Sequence, residues 1–247
     1  MSKNGNSKSW GLPYFGSKSQ IVEKAYGLIK VDLAGESYNG FVDVFGGGGA
    51  ISHYFASKGE SIIYNDADAD LHRVFETIKR TNDTKTLFCD NLLDYGRIFE
   101  MKKGGGVLSD IDNAKYYLNK TNSTFHRNFL QILCNPLSTS ANNFADRISK
   151  FKDFLLSNKV KFTNRDYRWI ATSHNTVLVC DPPYIGTDIY EQSFDYQSFI
   201  EWIKNMPNQH KYIFGYAKEG EYFQKIANLG ASKINSSNTE ILYKFTN

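Results

Sequence analysis

The chain has 247 residues, 41% of them hydrophobic and 15% aromatic, which is enough for the core of one large domain or of one domain with an insertion. Its three cysteines, Cys89, Cys134 and Cys180, are too few and too scattered for a disulfide framework or a zinc site. No apolar run is long enough to cross a membrane, and the amino terminus lacks an apolar signal core. We therefore expect a soluble intracellular protein without a bound metal.

The net charge of +3 is unevenly distributed along the chain. Residues 111–170 contain ten Lys/Arg and four Asp/Glu, so this stretch carries +6 and the rest of the chain carries −3. A basic block in an otherwise slightly acidic protein is typical of a surface that binds a polyanion, most often nucleic acid. The alternative is a solvated, lysine-rich helical face.

The first part of the chain alternates strands and helices. The predicted elements are a helix over 21–29 that Ser17 or Ser19 could cap, a strand over 40–45, a helix over 50–56, a strand over 61–64 and a helix over 71–81. A glycine-rich loop over 46–49 follows the first strand, and Asp66 follows the second. This order predicts a parallel-sheet unit that binds a nucleoside, with Asp66 as the acceptor for the ribose hydroxyls.

Residues 82–160 interrupt this alternation. They contain three consecutive glycines at 104–106 and a run rich in Asn, Ser and Thr at 119–143, which predicts a helical and loop-rich insertion. The two-part domain that it interrupts then comprises residues 1–81 and 161–247. The elements predicted for the last part are strands over 160–163 and 176–180, a helix over 196–204, a strand over 212–216, a helix over 219–229 and a strand over 240–245.

The tetrapeptide Asp181-Pro182-Pro183-Tyr184 comes directly after the apolar strand Thr176–Cys180. The carboxyl ends of parallel strands are where ligands bind in open α/β sheets. Two prolines fix the backbone there, so a carboxylate, a rigid carbonyl and an aromatic ring converge on one small volume. Two acceptors beside a stacking surface suit a planar group that bears an NH2, such as the amino edge of a base. The alternative is that the prolines end the strand and Tyr184 covers the core.

These motifs together resemble the Dam-like (D12 class, alpha-group) DNA adenine-N6 methyltransferases, which use S-adenosylmethionine. The segments that carry the resemblance, in chain order, are Tyr14-Phe15-Gly16-Ser17-Lys18, Phe41-Val42-Asp43-Val44-Phe45 with Gly46-Gly47-Gly48-Gly49, Asn65-Asp66, Tyr116-Tyr117-Leu118-Asn119-Lys120, Asn164-Arg165-Asp166-Tyr167, Asp181-Pro182-Pro183-Tyr184, and Tyr190 with Phe194. The resemblance implies a three-layer Rossmann-like methyltransferase fold with residues 82–160 as the target-recognition insertion. It also implies a cytoplasmic enzyme of a bacterium or a phage-infected host; restriction-modification, self-marking and regulation all stay open as its biological role.

The resemblance assigns roles to individual residues. Those that it implies for the cofactor site are Tyr14, Gly16 and Lys18 at the amino-acid end and sulfonium side, Phe45, Gly46 and Gly48 around the methionine part with Asp43 anchoring the strand beneath them, Asp66 at the ribose, and Asp166 and Tyr167 at the adenine. Catalysis is assigned to Asp181, Pro182, Pro183 and Tyr184. For the nucleic acid we expect contacts from Lys120, Asn122, Arg127, Lys150 and Lys152.

The implied reaction requires no metal. Asp181 and the Pro182 carbonyl would accept the two amino hydrogens of adenine and stabilise the charge that develops on its nitrogen. Because that nitrogen is unreachable inside duplex DNA, the base would be flipped out and stacked on Tyr184. Adenine in RNA is one alternative substrate, cytosine N4 is less favoured, and a catalytically silent nucleic-acid-binding relative is a third reading.

One departure from the family limits what the resemblance implies. Residues 125–144 lack the hairpin signature that Dam-like proteins carry in their recognition insertion. A GATC target therefore does not follow from the resemblance, and neither does an oligomeric state.

Overall fold

The computed structural model describes residues 10–12, 14, 16–89, 92–123, 139–184, 194–231 and 239–245. Its helices are α1 (Val22–Asp32), α2 (Ala50–Ser57), α3 (Ala69–Arg80), α4 (Leu92–Lys103), α5 (Asp110–Ser123), α6 (Thr139–Leu155) and α7 (Tyr196–Asn205). Its strands are β1 (Gly40–Asp43), β2 (Ile62–Asn65), β3 (Val160–Thr163), β4 (Thr176–Cys180), β5 (Lys211–Gly215), β6 (Gln224–Ala231) and β7 (Thr239–Phe245). Short 3₁₀ turns lie at Thr84–Leu87, Tyr167–Trp169 and Ala217–Glu221.

The seven strands form one sheet in the order β3-β2-β1-β4-β5-β7-β6. The pairs from β3 to β5 are parallel, and β7 is antiparallel to both of its neighbours. Alternate residues of the central strands face opposite helical layers, as the two-residue period of a strand requires. Phe41 packs with α1 and α2 on one face, whereas Val42 packs with α7 on the other. The predicted three-layer Rossmann-like α/β fold is confirmed.

The helix predicted over 219–229 is wrong. A 3₁₀ turn ends at Glu221, and Gln224–Ala231 is the edge strand β6, paired with β7. Phe223, Ile226 and Leu229 recur every third residue, which resembles a helical face. The register of β6 shifts between Lys225 and Ala227 and again between Asn228 and Gly230, so bulges conceal the alternation expected of a strand.

The predicted serine cap of α1 is also wrong. The N-cap residue is Ile21, and it makes no capping hydrogen bond through its side chain. The two serines serve the preceding segment instead. Ser19 Oγ accepts from the backbone N–H of Trp10 at 2.8 Å, and Ser17 Oγ accepts from that of Ser19 at 3.4 Å.

Helices α5 and α6 share a hydrophobic cluster with α3 and with Tyr64 of β2. The ring of Phe151 in α6 lies 5.1 Å from Phe75 in α3, and Phe154 stacks on His53 in α2 at 4.9 Å. Part of the 82–160 segment is therefore packed into the core beside β2 and β3. The division into a catalytic domain and a recognition insertion stays a prediction.

The glycine loop after β1 is enclosed on two sides. A Cβ on Gly46 would lie 2.1 Å from the ring of Tyr64, and a Cβ on Gly48 would lie 2.5 Å from the Cβ of Tyr14. The Tyr64 hydroxyl also donates to the carbonyl of Gly47 at 2.7 Å. Glycine is required at position 46 because Tyr64 occupies the space of a side chain.

Gly46→Ala is expected to destabilise the fold by about 1–3 kcal/mol, the cost of forcing an extra carbon into a packed site. Gly27→Ala is the matched control, because its Cβ would meet nothing within 4 Å. In the middle of α1 that change should stabilise by about 0.5–1 kcal/mol. Urea unfolding measures both; equal stabilities for the two variants would show that Tyr64 does not lie under the loop.

Asp43 at the end of β1 is a buried acid, 1% exposed. Its Oδ2 accepts from the Ser52 hydroxyl at 2.7 Å and from the Ser52 backbone at 3.2 Å, while its Oδ1 has no hydrogen-bond partner in the part of the chain that is described. Burial raises its pKa to about 7 against the opposing bonds from Ser52, and the charges of Asp181 and Asp66 raise it further. The folded protein therefore holds a proton on Asp43 that the unfolded chain releases near pH 4.

Because the folded-state pKa of Asp43 is raised, ionising it costs stability as the pH rises toward 7. Asp43→Asn removes this titration and keeps an oxygen that can accept from Ser52. We expect the free energy of unfolding of the variant, relative to the original chain, to rise by about 2–3 kcal/mol between pH 5 and pH 8. Urea unfolding across this range measures it, and a pH-independent difference would contradict the raised pKa.

Candidate functional site

The parallel register brings the ends of three strands to one edge of the sheet. Asp43 of β1 lies opposite both Tyr64 of β2 and Val179 of β4. The glycine loop, Asp66 and Asp181 follow these positions directly, so the topology places them together. Strand β7 runs in the opposite direction, and its amino end reaches the same edge with Ile241 opposite Gly215.

A cavity of about 470 Å³ opens at this edge. Of the residues predicted to bind the cofactor or to act in catalysis, it is lined by Tyr14, Gly16, Lys18, Phe45, Gly46, Gly48, Asp66, Asp166, Tyr167, Asp181, Pro182, Pro183 and Tyr184. Asp43 lies beneath the cavity and does not line it. Motifs that are far apart in the sequence therefore surround one space.

Asp66 lies at the wall of the cavity beside the glycine loop. Its Oδ2 accepts from the backbone N–H of Gly47 at 2.7 Å, and its Oδ1 accepts from that of Asp68 at 2.9 Å. Burial raises the pKa of Asp66, although these two bonds act in the opposite direction. Each carboxylate oxygen keeps a second lone pair, so Asp66 can accept further hydrogen bonds from a ligand.

Asn65 ties the strand ends together behind Asp66. Its amide nitrogen donates to the carbonyls of Val44 and Arg165 at 3.1 and 2.9 Å, and its oxygen accepts from Thr163 and from the Arg165 backbone. The loop that carries Asp166 is thereby fixed to the ends of β1 and β2. The sequence motif included Asn65, but its linking role was not predicted.

One part of the cavity wall is aromatic. The ring of Tyr167 lies 5.4 Å from Phe45 and 5.9 Å from Phe194, and Phe45 and Phe194 are 5.7 Å apart. Asp166, beside them, is paired with Arg168, whose Nε and Nη2 donate to its two oxygens at 2.8 and 2.7 Å. These bonds hold the pKa of Asp166 below its ordinary value. The wall suits a flat apolar ring.

The opposite part of the cavity holds a compact group of buried charges. Lys18 Nζ lies 2.9 Å from Asp181 Oδ2, 3.9 Å from Glu240 Oε1 and 4.9 Å from the centre of the Tyr184 ring. It also donates to the Gly16 carbonyl at 2.8 Å. The Tyr184 hydroxyl lies 2.9 Å from Asp181 Oδ1 and 2.8 Å from Glu240 Oε2. We refer to Lys18, Asp181, Tyr184 and Glu240 as the charged cluster.

Burial shifts the pKa values of the charged cluster. It raises the pKa of Asp181 against the opposing influence of Lys18 and Tyr184. Burial alone would lower the pKa of Lys18, but the charges of Asp181 and Glu240 outweigh it and raise that pKa above its usual value. Lys18 is therefore an ammonium, and Asp181 is its nearest counter-ion.

The ring of Tyr184 is largely enclosed. It is 9% exposed, lies beneath the Lys18 ammonium, and meets the ring of Tyr216 edge-on at 4.4 Å between centres. Tyr216 also lines the cavity. Neither Tyr216 nor Glu240 is predicted from the sequence, because their positions depend on how β5 and β7 pair.

The segment that carries Tyr14 is held by α2 and α6. The backbone N–H of Gly11 donates to His53 Nδ1 at 3.1 Å, and Arg147 Nε donates to the Gly11 carbonyl at 3.0 Å. Burial, with a smaller contribution from the charge of Arg147, lowers the pKa of His53 to about 4, so its imidazole is neutral. The backbone N–H of Leu12 donates to the Gly48 carbonyl at 2.7 Å, so this segment packs over the glycine loop.

The structure describes only some of the residues predicted to contact nucleic acid. Lys150 is exposed on α6, whereas Lys152 Nζ donates to the Thr81 carbonyl at 2.6 Å. The side chains of Lys120 and Asn122, and all of Arg127, lie outside the described residues. In the described ranges, no group of three or more His, Cys, Asp or Glu side chains is placed to hold a metal ion. Of the helices given above, none is both long and apolar enough to span a membrane.

Comparisons with known proteins address the family directly. Residues 14–130 match the family described as D12 class N6 adenine-specific DNA methyltransferase. A comparison with curated proteins gives no match. Among solved structures, a Haemophilus influenzae protein provisionally described as a methylase, HI0767, aligns over 91% of this chain and 98% of its own, with 10% identity and a TM-score of 0.38. A TM-score this low supports no conclusion about this chain.

The matched stretch contains the Tyr14–Lys18 segment, the glycine loop and Asp66, which form one wall of the cavity. The family match predicted from the motifs is therefore confirmed over residues 14–130, just under half of the chain.

Proposed function

We propose that this protein transfers a methyl group from S-adenosylmethionine to the exocyclic N6 of an adenine flipped out of double-stranded DNA. The observation that carries the proposal is the continuity of the cavity. The glycine loop and Asp66 line the same space as Asp181, Pro182 and Tyr184. A methyl donor bound beside the loop and an acceptor amine bound beside Asp181 would therefore lie in the same cavity. We further propose a cytoplasmic location.

The residues around the cavity are suited to S-adenosylmethionine. Asp66 has acceptor capacity for ribose hydroxyls, and the Phe45, Tyr167 and Phe194 rings offer an apolar wall to an adenine ring. Gly46 and Gly48 allow Tyr64 and Tyr14 to pack closely against the loop that lines the cavity. When bound, S-adenosylmethionine would supply a methyl group on a sulfonium that is already activated for transfer.

Lys18 has a second proposed role beside the cofactor contact that the resemblance implies. Its ammonium lies against Asp181, and it also lines the cavity. We propose that Lys18 fixes the ionised state and the orientation of Asp181, and that it reaches the cofactor only from that position.

Asp181 and the Pro182 carbonyl are the proposed acceptors for the target amine. The lone pair of adenine N6 is delocalised into its ring, so the amine is a weak nucleophile. Accepting its two hydrogens favours localisation of that pair, and a fixed carboxylate stabilises the positive charge that then develops. As the methyl group arrives, N6 must lose one proton, and Asp181 is the adjacent base that can receive it.

The target base would enter from the open side of the cavity. Because the ring of Tyr184 is enclosed by Lys18 and Tyr216, a flipped base that stacks on Tyr184 requires these neighbours to move. We therefore propose that base entry and rearrangement of the charged cluster are coupled. RNA adenine remains an alternative substrate. The third reading, a silent nucleic-acid-binding relative, is less favoured because Lys18 and Asp181 are both present and in contact.

DNA contacts are proposed for the basic region. Lys120, Asn122, Arg127 and Lys150 keep the role expected from the sequence. Lys152 could join them only if its bond to the Thr81 carbonyl opened. Arg165, which lines the cavity, and Trp169, which is 74% exposed, lie on the loop after β3 and add a charged and an aromatic side chain near the same edge.

Asp66→Ala should weaken cofactor binding, whereas Asp181→Ala should abolish turnover. Loss of the ribose acceptor should weaken S-adenosylmethionine binding by at least about tenfold, since hydrogen bonds to a charged acceptor contribute roughly 1.5–3 kcal/mol each. Asp181→Ala should abolish methyl transfer and leave that affinity within about tenfold. Calorimetric titration and labelled methyl incorporation into DNA separate the two effects.

Each of these variants has an outcome that would contradict the prediction, and Asp181→Ala also needs a folding control. Removing Asp181 takes away the nearest counter-ion of Lys18, so thermal unfolding must first show that Asp181→Ala is folded. A folded Asp181→Ala protein with ordinary methylation would exclude the proposed mechanism. An unchanged dissociation constant in Asp66→Ala would remove Asp66 from the cofactor site.

Lys150→Gln tests the basic surface. Each phosphate contact adds about one unit to the slope of log affinity against log salt, so losing one should lower the slope by that amount and weaken binding to all DNA sequences alike. Lys152→Gln is the matched control on the same helix, with its ammonium already engaged. Fluorescence anisotropy at several salt concentrations measures both; an unchanged slope for Lys150→Gln would place the DNA elsewhere.

A further inference from the structure

The charged cluster contains a carboxylate that no sequence motif includes. Glu240 is 7% exposed, lines the cavity, and comes from the amino end of β7. It reaches the catalytic edge because β7 is antiparallel to β5. Its Oε2 lies 2.8 Å from the hydroxyl of Tyr184, which in turn lies 2.9 Å from Asp181 Oδ1.

The geometry of this chain of oxygens favours a second proton in addition to that of the Tyr184 hydroxyl. Both distances are those of hydrogen bonds, and each hydrogen bond needs a proton between its two oxygens. A tyrosine hydroxyl carries only one. With both carboxylates ionised, one of the two contacts would place a hydroxyl lone pair against a carboxylate oxygen. A second proton on one of the two carboxyl groups removes this repulsion.

Lys18 decides which carboxyl group that is. Its ammonium is 2.9 Å from Asp181 and 3.9 Å from Glu240, so the negative charge is more stable on Asp181. Two buried carboxylates that share a site do not both ionise readily. The proton therefore belongs on Glu240, which can then donate to the Tyr184 oxygen, while Tyr184 donates to Asp181.

We propose that Glu240 acts as a neutral carboxylic acid that directs the Tyr184 hydroxyl onto Asp181 and so positions the catalytic carboxylate. This inference rests on the proposed methyl transfer and adds a positioning residue to it. Glu240 is not itself required to touch the target amine. Its contribution is to direct the Tyr184 proton toward Asp181 and to keep the single negative charge of the pair on Asp181.

The surroundings of Glu240 are consistent with a neutral acid. Burial raises its pKa and the charge of Asp181 raises it further, while Lys18 and the bond from Tyr184 oppose the shift. Lys18 approaches from the amino-terminal segment, and Asp181 and Tyr184 approach from the loop after β4. Glu219 contributes its charge from the 3₁₀ turn after β5. As the pH rises through its pKa, Glu240 would ionise and compete with Asp181 for the Tyr184 proton.

Glu240→Gln and Glu240→Ala separate a neutral donor from a required charge. Glutamine resembles the protonated acid and can donate to Tyr184, so we expect its methylation rate at the pH optimum to stay within about threefold of the original. The alkaline decline of kcat should move to higher pH or disappear. Alanine removes the donor and should lower kcat by about tenfold, without changing the dissociation constant of S-adenosylmethionine. A glutamine variant as slow as the alanine variant would overturn the proposal.

Tyr184→Phe provides a second comparison, because it breaks the same chain of oxygens. Adding Glu240→Ala to Tyr184→Phe should cause little further loss of kcat, since residues that act through one network are not additive. Full additivity would show that Glu240 acts independently of Tyr184. Glu219→Gln is the matched control for altering a buried glutamate in the same region; its carboxylate accepts from the Tyr216 backbone.

Infrared spectroscopy measures the protonation of Glu240 without relying on catalysis. At the pH optimum, the difference spectrum between the original chain and Glu240→Gln should contain the carbonyl band of a neutral carboxylic acid, and the difference spectrum with Glu219→Gln should not; the band of protonated Asp43 cancels in both. Absence of a Glu240 band would overturn the proposal even if the enzyme is active. Absence of methyl transfer in the original chain would instead refute the proposed function, and the infrared result would still decide the state of Glu240.

Discussion

A buried ammonium group must be neutralised where it lies, and the active edge of this protein is organised by that requirement. Lys18 is 5% exposed and is held between Asp181, Glu240 and the ring of Tyr184. The ion pair with Asp181 joins the amino-terminal segment to the loop after β4, although the two are far apart in sequence. Without that pair, burial would favour the uncharged forms of both groups. Lys18 and Asp181 stay charged inside the cavity because each is the counter-ion of the other.

The two ends of the cavity differ in their chemistry. The aromatic wall of Phe45, Tyr167 and Phe194 can hold a flat ring by contact alone, and it needs little help from charge. The charged cluster presents a carboxylate whose position is fixed by two neighbours. Asn65 connects the backbone segments that bear the aromatic wall and Asp66. A ligand that extends between the ends would therefore meet surfaces whose relative placement is set by the strand register.

Local sequence patterns predicted much of this arrangement, and the reasons for the failures are physical. The carboxyl ends of β1, β2 and β4 could be inferred because parallel strands align their ends, which brought the glycine loop, Asp66 and Asp181 together. Strand β6 was predicted as a helix because two bulges disrupt its alternation. Glu240 was not predicted because its place at the site depends on β7 lying antiparallel beside β5. Neither pairing nor direction is encoded in a short motif.

The contacts between α6 and the amino-terminal segment matter for protein engineering. Arg147 binds the carbonyl of Gly11, and Phe151 and Phe154 of the same helix pack around His53 of α2. Exchanging residues 82–160 as one cassette between relatives would remove these contacts together with whatever recognises the target. A chimera intended to change specificity should therefore keep the second half of α6 from the recipient and place its junction before Phe144.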